Sequence, residues 1–370
     1  MKITCTKEDI SQALRSVQNA LTSTTLPILS HILMSARKEL VELTATNLET
    51  TIRSNFTGKI EEEGQICVPG EKIFSIVREL PSEQVYLETE ENKLTLKCKE
   101  AMFNLLGLSS AEFPEFPSIG KESFSIPQAT LREMFQKTIF AVSTDETRRN
   151  LNGIYLEGGE GQLKLIATDG RRLAFIKIPY TSIESSLKVL IPLQAVQQLL
   201  RILGREGEVK VGLGENQIFF QTPQALLISQ LIDTKFPDYE KVLPQEYNIG
   251  ILVEREKLLG AIRRISLLSE EKSHLLKFNL KEETLRISAV SPEVGSAYEK
   301  IPVKVEKEGE IEIGFNSIYL TDPLKVMGTN SVRAQLIDGE SPGVLRPETG
   351  EDYIYVIMPI KIREEEVSLT

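Results

Sequence analysis

The sequence contains no tryptophan, only two histidines and only three cysteines among its 370 residues. Cys5, Cys67 and Cys98 are an odd number and lie far apart, so they match neither a disulfide framework nor the spacing of a zinc site. His31 and His274 are too few for a histidine-rich metal centre, and neither lies in a His-Glu-x-x-His motif. We therefore expect no metal and no cofactor.

The signatures of nucleotide-binding and hydrolytic enzymes are also missing. The chain has no Gly-rich phosphate loop, no dinucleotide-binding fingerprint and no Gly-x-Ser-x-Gly elbow. Aspartates such as Asp169, Asp233 and Asp238 could in principle hold a divalent metal for hydrolysis, but Asp169-Gly170 is more typical of a turn at the end of a strand. We interpret the chain as non-enzymatic and keep a metal-dependent hydrolase as the less favoured alternative.

Long apolar runs are absent, and none reaches the ~18 residues that a membrane span requires. The first nine residues, Met1 to Asp9, carry charge where a secretory signal needs an apolar stretch. Hydrophobic residues make up 41% and charged residues 26%, which is ordinary for a folded protein and too apolar for disorder. We expect a cytoplasmic protein.

A threefold internal repeat runs through the chain. A short strand that leads into a helical pattern recurs at Ile3, Phe124 and Ile251, and the opening of a second helix recurs at Pro69, Pro192 and Phe315. The spacings of 121 to 127 residues indicate three copies of one unit of ~120 residues. We place the units at 1–120, 121–248 and 249–370.

Each unit combines two helices with alternating strands, which are typical of antiparallel sheets with one buried face. This pattern predicts an α+β architecture with helices packed on sheets. In each unit the first helix should bury one apolar face: Ile10, Leu14 and Val17, then Leu131, Phe135 and Thr138, then Leu258, Ile262 and Ile265. The helices are predicted over 7–20, 70–80, 128–141, 193–205, 254–268 and 316–328.

Charge is unevenly divided between these helices and the rest of the chain. The six predicted helices carry 13 basic and 8 acidic residues, a net charge of +5, whereas the whole chain has −10, which leaves −15 elsewhere. From charge alone, solvated outer helix faces are the simpler interpretation. If all helices face one way, however, an acidic molecule presents one positive surface that attracts a polyanion.

The sequence resembles the bacterial sliding clamp, the beta subunit of DNA polymerase III, over essentially its whole length. The motifs that carry the resemblance are Thr25-Leu26-Pro27-Ile28-Leu29, Ala167-Thr168-Asp169-Gly170-Arg171-Arg172-Leu173-Ala174, Phe236-Pro237-Asp238-Tyr239, Val242-Leu243-Pro244, Gly314-Phe315-Asn316 and Tyr355-Val356-Ile357-Met358-Pro359-Ile360. The resemblance implies that two chains close head to tail into a ring with helices inside and sheets outside. It also implies that the ring holds double-stranded DNA without sequence specificity and tethers the replicative polymerase. A repeat scaffold that binds only proteins remains an alternative.

The resemblance assigns three sets of residues. The first is a pocket for short peptides of the polymerase, the clamp loader and repair proteins: Leu151, Thr168, Gly170, Arg171, Arg172, Leu173, Pro237, Lys241, Val242, Val356, Met358, Pro359 and Ile360. The second comprises basic helix residues that face DNA: Arg15, Arg78, Arg132, Lys137, Arg201, Arg205, Arg263 and Arg264. The third is the dimer interface: Phe103, Leu267 and Leu268.

The chain departs from the family pattern at a few positions. Ser23 and Thr24 stand where the family often has a basic residue, and Leu193 and Gln194 replace basic residues at the start of the fourth helix. Pro323 lies inside the sixth predicted helix, where proline is expected to kink or delay it. An acidic tail over residues 363–370 follows the pocket motif.

Overall fold

The structure is a computed structural model that describes residues 1–21, 26–181, 183, 186–244, 246–349 and 352–362. Ser23, Thr24 and the acidic tail over 363–370 lie outside the described residues. Within the described part, no helix is long and apolar enough to cross a membrane.

Each third of the chain contributes two helices and a series of short strands. The first third contains α1 (Lys7–Val17) and α2 (Gly70–Glu79), with strands β1 (Lys2–Thr6), β2 (His31–Arg37), β3 (Leu40–Thr46), β4 (Thr50–Thr57), β5 (Lys59–Glu62), β6 (Gly64–Pro69), β7 (Gln84–Glu90), β8 (Lys93–Cys98) and β9 (Ala101–Leu106). The middle third contains α3 (Gln128–Gln136) and α4 (Leu193–Ile202), with β10 (Lys121–Pro127), β11 (Gly153–Gly159), β12 (Gln162–Thr168), β13 (Arg172–Pro179), β14 (Leu187–Pro192), β15 (Glu208–Gly214), β16 (Gln217–Gln221) and β17 (Ala225–Gln230). The last third contains α5 (Arg255–Ile265) and α6 (Ser317–Val326), with β18 (Ile249–Glu254), β19 (Leu275–Lys281), β20 (Thr284–Ser291), β21 (Gly295–Pro302), β22 (Lys304–Lys307), β23 (Ile311–Asn316), β24 (Ser331–Leu336), β25 (Gly343–Pro347) and β26 (Asp352–Ile357).

The helices bury the faces that the sequence predicts. All nine residues of the three repeated faces are buried, from Ile10, Leu14 and Val17 in α1 to Ile265 at the end of α5. Each large aliphatic side chain so removed from water stabilises the fold by about 1.5–3 kcal/mol. Helix α1 begins where Thr6 Oγ1 accepts a hydrogen bond from the amide of Asp9 at 3.2 Å, an N-cap.

Helix α6 runs through Pro323 without the predicted delay at its start. Proline has no amide hydrogen, so the carbonyl of Tyr319, four residues earlier, loses its usual helical donor. The hydroxyl of Tyr355, in β26, donates to that carbonyl at 2.6 Å. A side chain from the sheet therefore replaces the missing helical hydrogen bond.

The described strands form four antiparallel sheets, and the contacts within the chain define two compact units. Unit 1 comprises 1–132 and 191–233, and holds the sheets β5-β1-β7-β8-β9 and β10-β15-β16-β17-β4-β3-β2-β6. Unit 2 comprises 133–190 and 234–370, and holds the sheets β14-β11-β12-β13-β26-β25-β24-β18-β22 and β21-β20-β19-β23. The two longer sheets join strands of consecutive repeats, by β17 beside β4 and by β13 beside β26.

Candidate partner-binding cleft and basic helix residues

The candidate cleft is built around the tight turn between β12 and β13. The Asp169 carboxylate accepts hydrogen bonds from the amides of Arg171 and Arg172 at 2.9 and 3.0 Å, which closes the turn. The hydroxyl of Thr168 donates to the carbonyl of Arg172 at 2.7 Å and accepts from the amide of Gly170 at 3.0 Å. Gly170 has a φ of +85°, a conformation that glycine adopts without strain. The turn predicted at Asp169-Gly170 is confirmed.

Arg172 fixes this turn to two other segments. Its Nε donates to Asp169 at 3.0 Å and its Nη1 donates to Asp322, in α6, at 2.8 Å. Its Nη2 donates to the carbonyl of Phe140, and its guanidinium lies 4.4 Å from the ring centroid of Tyr319. Burial opposes the charged form, but the neighbouring Tyr355, Asp322 and Asp169 raise the pKa of Arg172 above its ordinary value. Arg172 is therefore a permanently charged connection between the cleft wall and α6.

The cleft itself is a largely apolar hollow of about 160 Å³. Leu151, Leu173 and Val356 are buried and form its floor, and Leu173 lies directly opposite Val356 in the β13–β26 ladder. Val242 and Met358 stand at its rim, each with 43% of its surface exposed. Exposed apolar rim residues above a buried apolar floor are suited to bind aliphatic or aromatic side chains, and methionine adapts to different shapes.

The segment that connects the second and third repeats forms the opposite wall. Tyr239 packs against Phe175, with ring centroids 5.9 Å apart, and its hydroxyl donates to Glu157 at 3.3 Å. Burial raises the pKa of Tyr239, and the nearby Glu157 raises it further. Lys241 pairs with Asp238 at 2.8 Å and lowers the pKa of that carboxyl through the hydrogen bond. Asp238 is thus held as an anion at the cleft edge.

Ten of the thirteen residues assigned to the pocket line this one cleft. They are Leu151, Thr168, Gly170, Arg171, Arg172, Leu173, Pro237, Val242, Val356 and Met358. Lys241, Pro359 and Ile360 do not line it: Lys241 points to solvent beside Asp238, and the Ile360 amide donates to the carbonyl of Gly314. Asp238 and Tyr239 line the cleft and were missed, although both belong to the Phe-Pro-Asp-Tyr motif.

The candidate DNA-facing residues fall into two groups. Six of them are exposed on the helices or at their ends: Arg15, Arg78, Arg201, Arg205, Arg263 and Arg264. Some of this charge is already paired, since Arg264 makes two hydrogen bonds to Glu299, at 2.9 and 2.7 Å, and Arg78 pairs with Glu79 at 3.0 Å. Exposed guanidinium groups of this kind suit loose contact with phosphates.

Two residues of the set do not fit a DNA-facing role. Lys137 is only 3% exposed and pairs with Glu133 at 2.8 Å, which does not favour the predicted contact with DNA. Its amide also donates to the carbonyl of Glu133 at 3.0 Å, so Lys137 closes the last turn of α3 with its ammonium group held by the same residue. Arg132 is half-buried and donates to the carbonyls of Leu200 and Leu203 at 2.7 and 2.6 Å. It closes the C-terminal end of α4 instead of facing outward.

The candidate interface residues are all accessible to some degree. Leu267 is 81% exposed, and Leu268 and Phe103 are half-buried. The edge strand β9, which holds Phe103, also exposes Met102 and Leu106. Exposed apolar side chains beside open strand edges mark a surface suited to association.

The described residues contain no group of three or more His, Cys, Asp or Glu side chains that could hold a metal ion. Asp169 uses its carboxylate oxygens to close its own turn and to bind Arg172. The geometry offers no site for the metal-dependent alternative at Asp169.

Comparison with known proteins matches the chain to three family models in order. They describe the N-terminal domain of the DNA polymerase III beta subunit over residues 1–117, its central domain over 125–238 and its C-terminal domain over 240–361. The beta sliding clamp of Pseudomonas aeruginosa is 35% identical over 349 residues, covering 91% of this chain and 93% of that protein. That of Synechocystis is 29% identical over 391 residues, covering 98% and 100%.

Solved structures agree with these relatives. The crystal structure of the DNA polymerase III subunit beta from Pseudomonas aeruginosa has a TM-score of 0.93 at 34% identity, covering 98% of this chain and 100% of that one. A sliding clamp from Bartonella birtlesii, bound to griselimycin, has a TM-score of 0.94 at 31% identity with the same coverage.

Proposed function

The chain belongs to the DNA polymerase III beta-subunit family, the bacterial sliding clamps, and we propose that it encircles duplex DNA as a head-to-tail dimer. The predicted α+β clamp fold is confirmed. The protein is a non-catalytic processivity factor that tethers the polymerase to DNA. We further propose that 1–120, 121–248 and 249–370 are its three clamp units and that it acts in the cytoplasm.

The pairing of strands between repeats supports the ring. Strand β17 pairs with β4, and β26 pairs with β13. In each case the last strand of one repeat pairs with the last strand of the meander β2-β3-β4 or β11-β12-β13 in the preceding repeat. Strand β9, about 120 residues before β17, is the equivalent last strand of the first repeat. Strand β21, about 120 residues after β13, is the equivalent meander strand of the third repeat. Each lies at an open edge of a shorter sheet. Pairing β9 of one chain with β21 of a second chain would repeat the same joint. Doing so twice closes a ring of six repeats.

This repeated joint is the observation that carries the proposal. The eight-stranded and nine-stranded sheets each contain this joint, whereas β9 and β21 lie at edges of the five-stranded and four-stranded sheets, among the described strands. Natural proteins seldom leave such edges uncovered. A second copy, with the same two edges, covers both at once.

Confinement accounts for the modest charge of the candidate DNA surface. The exposed arginines, such as Arg15, Arg201 and Arg263, contact phosphates without reading the sequence. A ring does not need tight binding, because closed DNA cannot leave it. The net charge of −10 keeps the outer surface from competing for DNA.

Release from DNA ends tests the ring directly. We expect the clamp, loaded onto nicked circular DNA by its clamp loader, to stay bound during gel filtration. A single restriction cut should release most of it within minutes, because the ring slides off the free ends. Retention on the linear product would indicate groove binding and would overturn encirclement, as would failure to associate with the circle.

The dimer can be tested at the candidate interface. Introducing a charge by Leu268→Lys should shift sedimentation from dimer to monomer, because an unpaired ammonium group is costly to bury among apolar side chains. Ile119→Lys, at a position that is 50% exposed in another part of the chain, is the matched control and should remain dimeric. A Leu268→Lys protein that sediments as a dimer would place the interface elsewhere.

We also propose that the cleft between Val242 and Met358 binds the short peptides through which the polymerase, the clamp loader and repair proteins attach. Its apolar floor at Leu173 and Val356 suits aliphatic and aromatic anchors. Arg171, exposed at its edge, suits an acidic or carboxylate group of the peptide.

A further inference from the structure

A second hollow, of about 170 Å³, lies in unit 2 beside the segment that follows Val242. Strands β24 and β25 contribute Gln335, Val344 and Arg346 to its lining, and the connecting segment contributes Pro244 and Tyr247. Its described lining contains a single carboxylate, that of the exposed Glu246. We call this feature the Arg346 hollow.

The strand register places the Arg346 hollow on the same sheet face as the cleft. One row of directly opposed residues crosses four strands: Leu173, Val356, Val344 and Gln335. Directly opposed residues of an antiparallel ladder point to the same face. The first two form the floor of the cleft and the last two line the hollow. Adjacent strands are ~4.8 Å apart, so the hollow begins one strand beyond the cleft.

The equivalent place at the joint between the first and second repeats is filled. The matching row there consists of Thr51, Ile228, Phe219 and Gly212. A Cβ on Gly212 would lie 2.3 Å from the ring of Phe219, so this ring covers the glycine. In the third repeat the smaller Val344 and the polar Gln335 leave the same place open.

Arg346 brings an uncompensated charge into this hollow. It is half-buried, makes no hydrogen bond or ion pair to a described residue, and its buried Nε has no acceptor. Its neighbours are occupied: Arg333, directly opposite, donates to Glu306 at 2.6 and 3.0 Å, and Asp352 pairs with Lys177 at 3.6 Å. Burial lowers the pKa of Arg346, and Asp352 raises it in part. A charge held partly out of water without a partner is costly, so the hollow favours an incoming carboxylate.

We propose that the Arg346 hollow binds an aspartate or glutamate side chain of a partner peptide whose apolar side chains occupy the cleft. The inference rests on the proposed peptide-binding function of that cleft. Arg346 is two residues along β25 from Val344, and Val344 is one strand from Val356. The Cα atoms of Arg346 and Val356 are therefore roughly 8 Å apart, which two or three residues of extended peptide span.

The hollow gives the cleft a means to rank its partners. An apolar floor accepts any peptide with suitable aliphatic or aromatic side chains, so such peptides compete on nearly equal terms. A carboxylate at the correct distance from those side chains adds a charged hydrogen bond that the other peptides lack.

Paired peptides that differ only by glutamate or glutamine test the proposal on the full chain. Each labelled peptide carries the polymerase's clamp-binding motif, with Glu or Gln two or three residues before or after its apolar side chains, and anisotropy gives its Kd. In at least one placement we expect the Glu peptide to bind about fivefold more tightly than its Gln counterpart, as for a favourable partly exposed ion pair. Arg346→Gln should abolish this preference and leave the Kd of the Gln peptide unchanged.

Two further variants separate the hollow from general charge effects. Lys257→Gln removes the same charge from an exposed position of α5 that lines neither the hollow nor the cleft, and should keep the preference. Val344→Phe places a ring where unit 1 has Phe219, and should abolish the preference although Arg346 is retained. Arg346→Gln should unfold at the same urea concentration as the original protein or higher, because its guanidinium has no partner to lose among the described residues.

The outcomes distinguish this proposal from the function on which it rests. Equal binding of the Glu and Gln peptides in every placement would overturn the hollow and leave the cleft as the peptide site. A preference that persists in Arg346→Gln would assign the carboxylate to another cation, such as Arg171, and would also overturn it, as would a clear loss of stability in that variant. Binding of neither peptide would instead remove the cleft itself, and the hollow with it.

Discussion

Replacing Val242 and Met358 together by alanine is expected to weaken binding of a partner peptide about 100-fold. Both side chains are 43% exposed at the rim, so their truncation removes apolar contact with the peptide and leaves the floor intact. Each lost aliphatic contact is worth about 1.5 kcal/mol, and a total of about 3 kcal/mol corresponds to two orders of magnitude in Kd. Fluorescence anisotropy with a labelled peptide that carries the polymerase's clamp-binding motif measures the change.

The matched control is Val294→Ala. Val294 is also exposed, at 69%, but belongs to the turn before β21 and does not line the cleft. We expect unchanged peptide affinity for this variant and unchanged unfolding for both proteins, because none of the three side chains is buried. Equal affinity of the double variant and the original protein would remove the cleft as the peptide site.

Replacing Arg172 by methionine is expected to lower the free energy of unfolding by about 3–5 kcal/mol, since it leaves partners of a buried ion pair without compensation. The guanidinium is only 10% exposed and serves Asp169, Asp322 and the carbonyl of Phe140 at once. Methionine keeps the length of the side chain but supplies no donor. Urea unfolding, followed by circular dichroism, measures the loss.

Arg171→Met is the control for this experiment. Arg171 is the neighbouring residue, but its side chain is exposed, and we expect a change within about 0.5 kcal/mol. If Arg172→Met and Arg171→Met unfold at the same urea concentration, the network around Arg172 contributes nothing to stability. Weaker peptide binding by Arg172→Met at a concentration where it stays folded would show that the network also positions the cleft wall.

Much of the fold is predictable from the sequence because the helical faces follow a period that burial enforces. Ile10, Leu14 and Val17 are typical: their spacing alone determines which side of α1 meets the sheet. The end of α3 is not predictable in the same way. Thr138 to Ala141 continue the apolar pattern but form a turn and a short 3-10 helix.

The candidate cleft is harder to derive, since its members are distant in sequence. Arg172 and Asp322 are 150 residues apart and meet only through the sheet that joins two repeats. Local patterns assign Val356 to an ordinary buried strand, and only the family resemblance marked it as a cleft residue. Tyr239 lay within a recognised motif, but its place in the wall depends on packing against Phe175.

In a single chain the open edges β9 and β21 are free to pair with other chains, and closing the ring removes this risk of aggregation. A head-to-tail contact either closes on itself or adds copies without limit, and the rotation between repeats decides which occurs. An insertion that alters this rotation would leave two unpaired edge strands per molecule and favour filaments over rings. The same edge strands that close the ring therefore make a single chain prone to unwanted pairing.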